Sequence, residues 1–204
     1  MGAPRKLVLA ISGKRFSGKD TLAAAIEKQA ARRGLALRRR AFADACKQAF
    51  CRSLEVRGVQ LDPTLLSTDR NTKEAWRPEL TRFTEEQLAV DPQVFARQIL
   101  DEDHAETVLI SDLRLRTEIE CLISESQPIF VRLTRSDASR AASGWVFTPG
   151  VDTHRTETEL DTWNGWDEQV TNDGTLEALD QRAQQLVRRL EEVIAQRHER
   201  RSLR

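Results

Sequence analysis

The sequence predicts an α/β protein of three layers, a parallel sheet of about five strands covered on both faces by helices. Three observations carry this expectation. Short apolar runs alternate with amphipathic stretches along the chain. The first run passes directly into a glycine loop and then a helix. And 204 residues with 39% hydrophobic and 31% charged content suit one domain of ordinary size. No repeat and no linker is visible, so a single domain over residues 1–204 is expected.

The elements follow in order. Lys6-Leu7-Val8-Leu9-Ala10-Ile11-Ser12 reads as a buried strand. Gly13-Lys14-Arg15-Phe16-Ser17-Gly18-Lys19-Asp20 comes next, and Thr21-Leu22-Ala23-Ala24-Ala25-Ile26 continues as helix. Gly13 and Gly18 bracket four residues and Lys19 follows at once, the spacing of a P-loop. Such glycines let backbone N–H groups turn inward around a phosphate, and the helix N-terminus adds partial positive charge. A plain turn would need no lysine in this register. Nucleotide binding is therefore expected at Gly13, Lys14, Arg15, Phe16, Ser17, Gly18, Lys19, Asp20 and Thr21, with Lys19 between the outer phosphates. Asp20 stands where Ser or Thr usually meets Mg2+, and carboxylate oxygen is also a hard ligand. Thr21 is a second possibility.

Leu35–Phe42 reads as a second strand and Ala43 opens a helix. Leu61–Thr64 and Ser67–Asn71 read as loop. A helix beginning near Thr72 carries Lys73, Trp76, Arg77, Leu80 and Phe83. Asp91-Pro92 suits an N-cap and first turn, with Val94, Phe95, Ile99 and Leu100 as the apolar face. Thr107–Asp112 and Pro128–Leu133 are short apolar strands, and Gln169–Asn172 is a short last one. Leu176–Gln196 is an amphipathic helix, followed by a solvated tail over 197–204.

In such a sheet the ligand crevice lies at the carboxyl ends of the strands. Asp112 emerges at one of those ends, placed to hold Mg2+ or the acceptor, or else to cap a turn. Lys47, on the helix after strand two, either reaches the acceptor or is merely exposed. Trp145 sits in a loop composition, where a lid or acceptor contact competes with packing. Asn172 is part of a turn at the mouth of the last strand and could meet the adenine edge.

Composition narrows the classes. Acids and bases balance at 32 each, so no global basic field exists to hold nucleic acid, and no apolar stretch is long enough to span a membrane. Cys46, Cys51 and Cys121 lack metal-ligand spacing and read as buried thiols. The first strand starts within about five residues, which leaves no room for a signal peptide and implies a cytoplasmic location. A monomer is expected.

Several phrases together resemble the animal-type phosphomevalonate kinases, P-loop enzymes of the nucleoside-monophosphate-kinase kind. They are Ser12–Asp20, Lys73-Glu74-Ala75-Trp76-Arg77, Asp91-Pro92 with Phe95 and Arg97, Ser111-Asp112-Leu113-Arg114, and above all Gly144-Trp145-Val146-Phe147-Thr148-Pro149-Gly150-Val151-Asp152. The resemblance implies a three-layer P-loop kinase with an acceptor-binding region over about 43–105 and a lid over about 134–161. It implies ATP with Mg2+, and transfer of the γ-phosphoryl to the phosphate of a small metabolite, (R)-5-phosphomevalonate. Lys14, Lys19, Arg114, Arg132 and Arg140 would be catalytic, with Arg140 and Asn172 also toward ATP. Lys47, Lys73, Arg77, Arg97, Asp112, Arg114 and Trp145 would face the acceptor, and Asp20 and Asp112 the metal. At family positions that are basic, this chain has Leu88, Leu115 and Ser143. Either Arg82, Arg116 or Arg155 substitutes, or the acceptor differs. The segment Asp152–Glu159 leans toward phage-type deoxynucleoside monophosphate kinases, so a nucleoside monophosphate is the alternative acceptor. A P-loop switch without an acceptor is the distant one, since no guanine-reading Asn-Lys-x-Asp occurs.

Overall fold

The computed structural model describes residues 5–202. The sequence readings at residues 1–4, and at Leu203 and Arg204 of the tail, lie outside the described residues. Strand β1 (Lys6–Ser12) is the hub of a five-stranded, wholly parallel sheet of order β2-β3-β1-β4-β5. The other strands are β2 (Arg38–Arg40), β3 (Thr107–Leu113), β4 (Ser126–Thr134) and β5 (Glu168–Thr171). Side chains alternate across β1, so Leu7, Leu9 and Ile11 enter one core and Val8 and Ala10 the other. Both faces are covered, and for that reason the strand reads as a continuous apolar run.

Helix α1 (Lys19–Arg32) and the last helix, α9 (Leu176–Ser202), cover the first face. Leu22, Ala23, Ile26 and Ala30 of α1 meet Leu179, Ala183, Leu186, Val187 and Leu190 of α9, two stripes at helical spacing. The second face is covered by α2 (Phe42–Val56), α5 (Val94–Glu102) and α6 (Arg116–Glu125) through Phe42, Phe95, Ile99, Ile119 and Leu122. Outside this layer, α3 (Leu65–Thr68) and α4 (Arg70–Val90) form a satellite in which Trp76 and Phe83 pack on Phe50. Two short helices, α7 (Asp137–Ala142) and α8 (Arg155–Thr158), lie between β4 and β5.

Several boundaries differ from the sequence reading, each for a local reason. β2 is only three residues long, because it is an edge strand paired on one side, to Val108–Ile110. Leu35 and Leu37 pack on the first core from irregular backbone instead. The expected loop over 67–71 contains the end of α3 and the start of α4, whose N-cap Asp69 accepts from Thr72 N at 2.7 Å. Asp91 does not cap α5. It accepts from Gln93 N at 3.0 Å in a local turn, and the helix starts at Val94. Helix α6 goes beyond the sequence expectation, and α9 runs through the first part of the expected tail. Cys46, Cys51 and Cys121 are buried and free, as their spacing implied.

The chain winds to one side of β1 for β2 and β3 and to the other for β4 and β5. The carboxyl ends of β1, β3 and β4 therefore adjoin at the switch point of the sheet, where an open α/β fold binds its ligand.

Candidate active site

The loop after β1 is shaped by close contacts. A Cβ on Gly13 would lie 2.5 Å from Leu133 O, so β4 can approach only a residue without a side chain. Gly18, at φ 93, turns the backbone into α1 as its N-cap. Asn172, just past β5, donates from Nδ2 to Ser17 O at 2.8 Å and braces the loop from outside. Within the loop, Lys19 Nζ donates to Gly13 O at 2.6 Å and to Lys14 O at 2.9 Å. Burial first and then Arg114 lower its pKa from 10.5 to about 8, against the upward pull of Glu157, Asp20 and Asp112. Ser17 Oγ is buried without a protein partner. A buried cation and an orphaned hydroxyl at a helix N-terminus are donors that nucleotide phosphates require.

Most of the other cations around this loop meet three acids of one segment, while Arg140 pairs most closely with Asp137 at 2.9 Å. Lys14 pairs with Asp161 at 2.7 Å and Arg132 meets the same carboxylate at 2.6 Å. Arg15 pairs with Asp152 at 3.1 Å, and Arg140 approaches that residue at 3.7 Å. Glu157 pairs with Arg114 and accepts from the P-loop amide Arg15 N at 2.7 Å. Arg140 also donates to Arg15 O at 2.9 Å and stacks over Trp145 at 3.8 Å, tying α7 to the loop. Arg132 donates to Ser12 Oγ at 3.0 Å and lies over Trp166 at 5.5 Å.

Two cavities flank the loop. One, of about 570 Å³, is walled by Lys14, Ser17, Arg132, Arg140, Trp145, Phe147, Trp163 and Trp166. The other, of about 630 Å³, lies between α2, α4 and α5, where Phe42, Leu80, Leu88, Phe95 and Leu115 form an apolar wall beside the bases Lys47, Arg114, His154 and Arg155 and the acids Glu85, Asp112 and Glu118. Lys47 there donates to Ser67 Oγ at 2.6 Å and to Asp44 at 3.0 Å.

Asp112 has a job the sequence did not reveal. Its two oxygens accept from Phe42 N at 2.8 Å and Ala43 N at 2.9 Å, capping α2 from across the sheet. Burial pushes its pKa up, against the pull of those two amides and Arg114. Glu118 beside it accepts from Arg114 N and Leu115 N at 2.7 and 2.9 Å. Burial pushes it up to about 8. These carboxylates orient two walls of the second cavity, α2 and the Arg114 backbone. Asp20 is the contrasting acid, with its side chain 89% exposed and bound to Arg39 at 2.5 Å. Among the described residues no three His, Cys, Asp or Glu side chains gather as a metal centre. Mg2+ on a nucleotide needs only one or two carboxylates beside phosphate and water oxygens, so the exchangeable Asp20 fits that need better than Asp112.

Three expected acceptor residues stand apart. Arg97 donates to both oxygens of Asp91 at 2.7 Å and lines neither cavity. Arg77 bonds Glu74 at 2.8 Å, one turn before Thr81 on the helix face that enters the cavity, and exposed Lys73 lies a turn further out. The helix runs out past the cavity before reaching them. Trp145 lines the P-loop cavity, not the second one, because its indole donates to Asp152 at 3.0 Å. Of the candidate substitutes, Arg155 lines the second cavity. Arg82 pairs outward with Glu79 and Glu86, and Arg116 donates to Thr162. Sequence reasoning missed Glu118, Glu157, Trp163 and Trp166. Glu118 lies at the start of α6, a helix the sequence did not announce, and Glu157 in a charged, loop-like segment, so neither carried a periodic signal, and only the doubled tryptophan could have drawn notice.

Comparison with known proteins identifies relatives of the chain. A family model described as phosphomevalonate kinase matches residues 11–128. A curated relative, phosphomevalonate kinase of Drosophila melanogaster, is 32% identical over 186 residues, spanning 87% of this chain and 92% of that protein. Among solved structures, the Mycobacterium tuberculosis APS kinase CysC, in complex with AMPPNP and APS, superposes with a TM-score of 0.51 at 14% identity. The match covers 93% of this chain and 99% of that one, a likeness of fold.

Proposed function

The chain belongs to the phosphomevalonate kinase family, and we propose that its reaction centre is the P-loop with the two cavities beside it. The protein phosphorylates phosphomevalonate with ATP as donor. A phosphate oxygen of the acceptor attacks the γ-phosphorus, the bond to ADP breaks, and a diphosphate forms. That oxygen is already anionic at neutral pH, so the site needs positive charge and dryness more than a strong base. The family assignment replaces the reading as a P-loop switch.

In the proposed arrangement the nucleotide phosphates take the amides of 13–19 and Ser17 Oγ, and Lys19 turns from its two carbonyls to the outer phosphates. Lys14 of the P-loop, Arg132 at the end of β4 and Arg140 of α7 neutralise the donor, and Arg114 stands between donor and acceptor. Lys47, Arg114 and Arg155 hold the acceptor in the cavity of α2, α4 and α5. Bound Mg2+, held by Asp20, would neutralise charge on the phosphate oxygens. Asp112 acts through α2 and the placement of Lys47, and Asn172 through the brace on Ser17 O. The convergence of Lys14, Lys19, Arg114, Arg132 and Arg140 on one strand-end crevice is the observation that supports this reading.

Monomeric action in the cytoplasm, as one domain with an acceptor region over about 43–105 and a lid over about 134–161, completes the proposal. Among the described residues no helix is long and apolar enough to cross a membrane. A coupled ADP-release assay tests the whole, with phosphomevalonate set beside a panel of nucleoside monophosphates. Turnover with phosphomevalonate is expected. Turnover only with a nucleoside monophosphate would overturn the acceptor, and sedimentation would read the oligomeric state.

A further inference from the structure

Among the acids around the P-loop, Glu157 is placed differently from the rest. Asp152 and Asp161 pair with side chains of the loop, Arg15 and Lys14. The Glu157 carboxylate instead accepts the backbone N–H of Arg15 at 2.7 Å, on a P-loop amide of the kind that receives phosphate oxygen. Its other oxygen pairs with Arg114, which also donates to Thr156 O at 3.2 Å. The same carboxylate is near enough to raise the pKa of Lys19. The Glu157 side chain is only 6% exposed, so this anion sits inside the site and not on its rim. An acid so buried persists only when paired and hydrogen-bonded, and here its partners are the groups that a transferred phosphoryl needs.

We propose that Glu157 is an internal competitor for the phosphoryl position, holding the Arg15 amide and Arg114 until nucleotide phosphate displaces it. This rests on the kinase reading above. One amide has a single hydrogen to give, so nucleotide phosphate can take the Arg15 N–H only when α8 releases Glu157. Apparent nucleotide affinity is then the intrinsic affinity multiplied by the fraction of molecules with Glu157 released. Release also frees Arg114, which lines the acceptor cavity, so donor binding prepares the acceptor site and, by reciprocity, the acceptor favours the donor. Glu157 thereby orders the binding of two like-charged substrates without touching either in the transfer step. Its role is that of a positioning residue.

The test uses the full chain and AMPPNP as probe, with Glu157→Gln compared to Glu159→Gln. Glu159 lies on the same segment but bonds Arg116 N and Arg155, and none of its hydrogen bonds reaches the P-loop. Calorimetry at low salt should show Glu157→Gln binding AMPPNP about tenfold or more tightly than wild type, the gain expected when one charge-assisted competitor is removed. Glu159→Gln should bind as wild type does. Steady-state kinetics of Glu157→Gln should show a lower KM for ATP, with the coupling between ATP and acceptor reduced. Equal or weaker AMPPNP binding by Glu157→Gln overturns the proposal, while wild-type turnover of phosphomevalonate would leave the kinase reading standing. Binding of AMPPNP by neither protein would sink both. Should Glu157→Gln fail to fold, hydrogen exchange on wild type decides. The peptide containing 155–159 must lose protection when AMPPNP is added, and unchanged or increased protection refutes the competitor role.

Discussion

Replacing Lys19 by Met separates the fold from the chemistry, because two sizeable effects on stability nearly cancel while the effect on catalysis does not. The ammonium is buried and its pKa stands at about 8 against an ordinary 10.5. At about 1.4 kcal/mol per unit, keeping it charged at pH 7 costs the folded state about 3 kcal/mol. Met removes that cost. It also removes the bonds to Gly13 O and Lys14 O, where hydrogen bonds to a charged donor contribute about 1.5–3 kcal/mol each. The difference should be about 0–3 kcal/mol of destabilisation, less than the usual stability of a domain, so the variant folds. The sign with pH follows from the depressed value. Between about pH 8 and 10.5 the unfolded chain binds the proton that the folded chain has lost, so wild-type stability rises across that window by about 3 kcal/mol. Lys19→Met should lack the rise. Its kcat should fall by at least about 100-fold, the loss typical for a main electrostatic stabiliser of the transition state. Urea unfolding from pH 7 to 10 and the coupled kinase assay measure both. Near-normal kcat, or a variant that retains the alkaline rise, would refute the placement of this lysine.

Other expectations follow from the same geometry. Arg114→Met should raise the acceptor KM or lower kcat, whereas Arg97→Met, remote from both cavities, should leave both kinetic constants within about threefold and act only through the Asp91 pair. Glu118→Gln keeps an oxygen for Arg114 N and Leu115 N and should be nearly neutral, whereas Glu118→Ala orphans two amides and should cost about 2–4 kcal/mol in urea unfolding. Because burial raises the Glu118 pKa from 4.5 to about 8, the folded state holds its proton longer, and stability should fall as pH rises through that interval. Glu118→Gln should flatten the slope. Asp112→Asn exchanges one acceptor oxygen for a donor facing Phe42 N or Ala43 N, so it should cost about 1–3 kcal/mol and raise the acceptor KM through a loosened α2.

Much of this protein is carried by short stretches of sequence. The P-loop, β1 with its two-sided burial, the stripes of α1 and α9 and the positions of β3 to β5 depend on local spacing: alternation in strands, three- and four-residue steps in helices, glycine where a Cβ cannot fit. Local rules also place Lys14, Lys19 and Arg114, since strand ends in a parallel sheet converge on one crevice. Tertiary structure alone decided the partners. Asp112 caps a helix that begins 70 residues before it, and Arg97 turns to Asp91 because its face of α5 leads away from the cavity. Trp145 belongs to the P-loop side because Asp152 and Arg140 hold it there. Glu157 enters the P-loop from 142 residues away. Ion pairs and caps form wherever the folded backbone leaves charges and amides unsatisfied, and that is a property of the packed elements, absent from the spacing within any one of them.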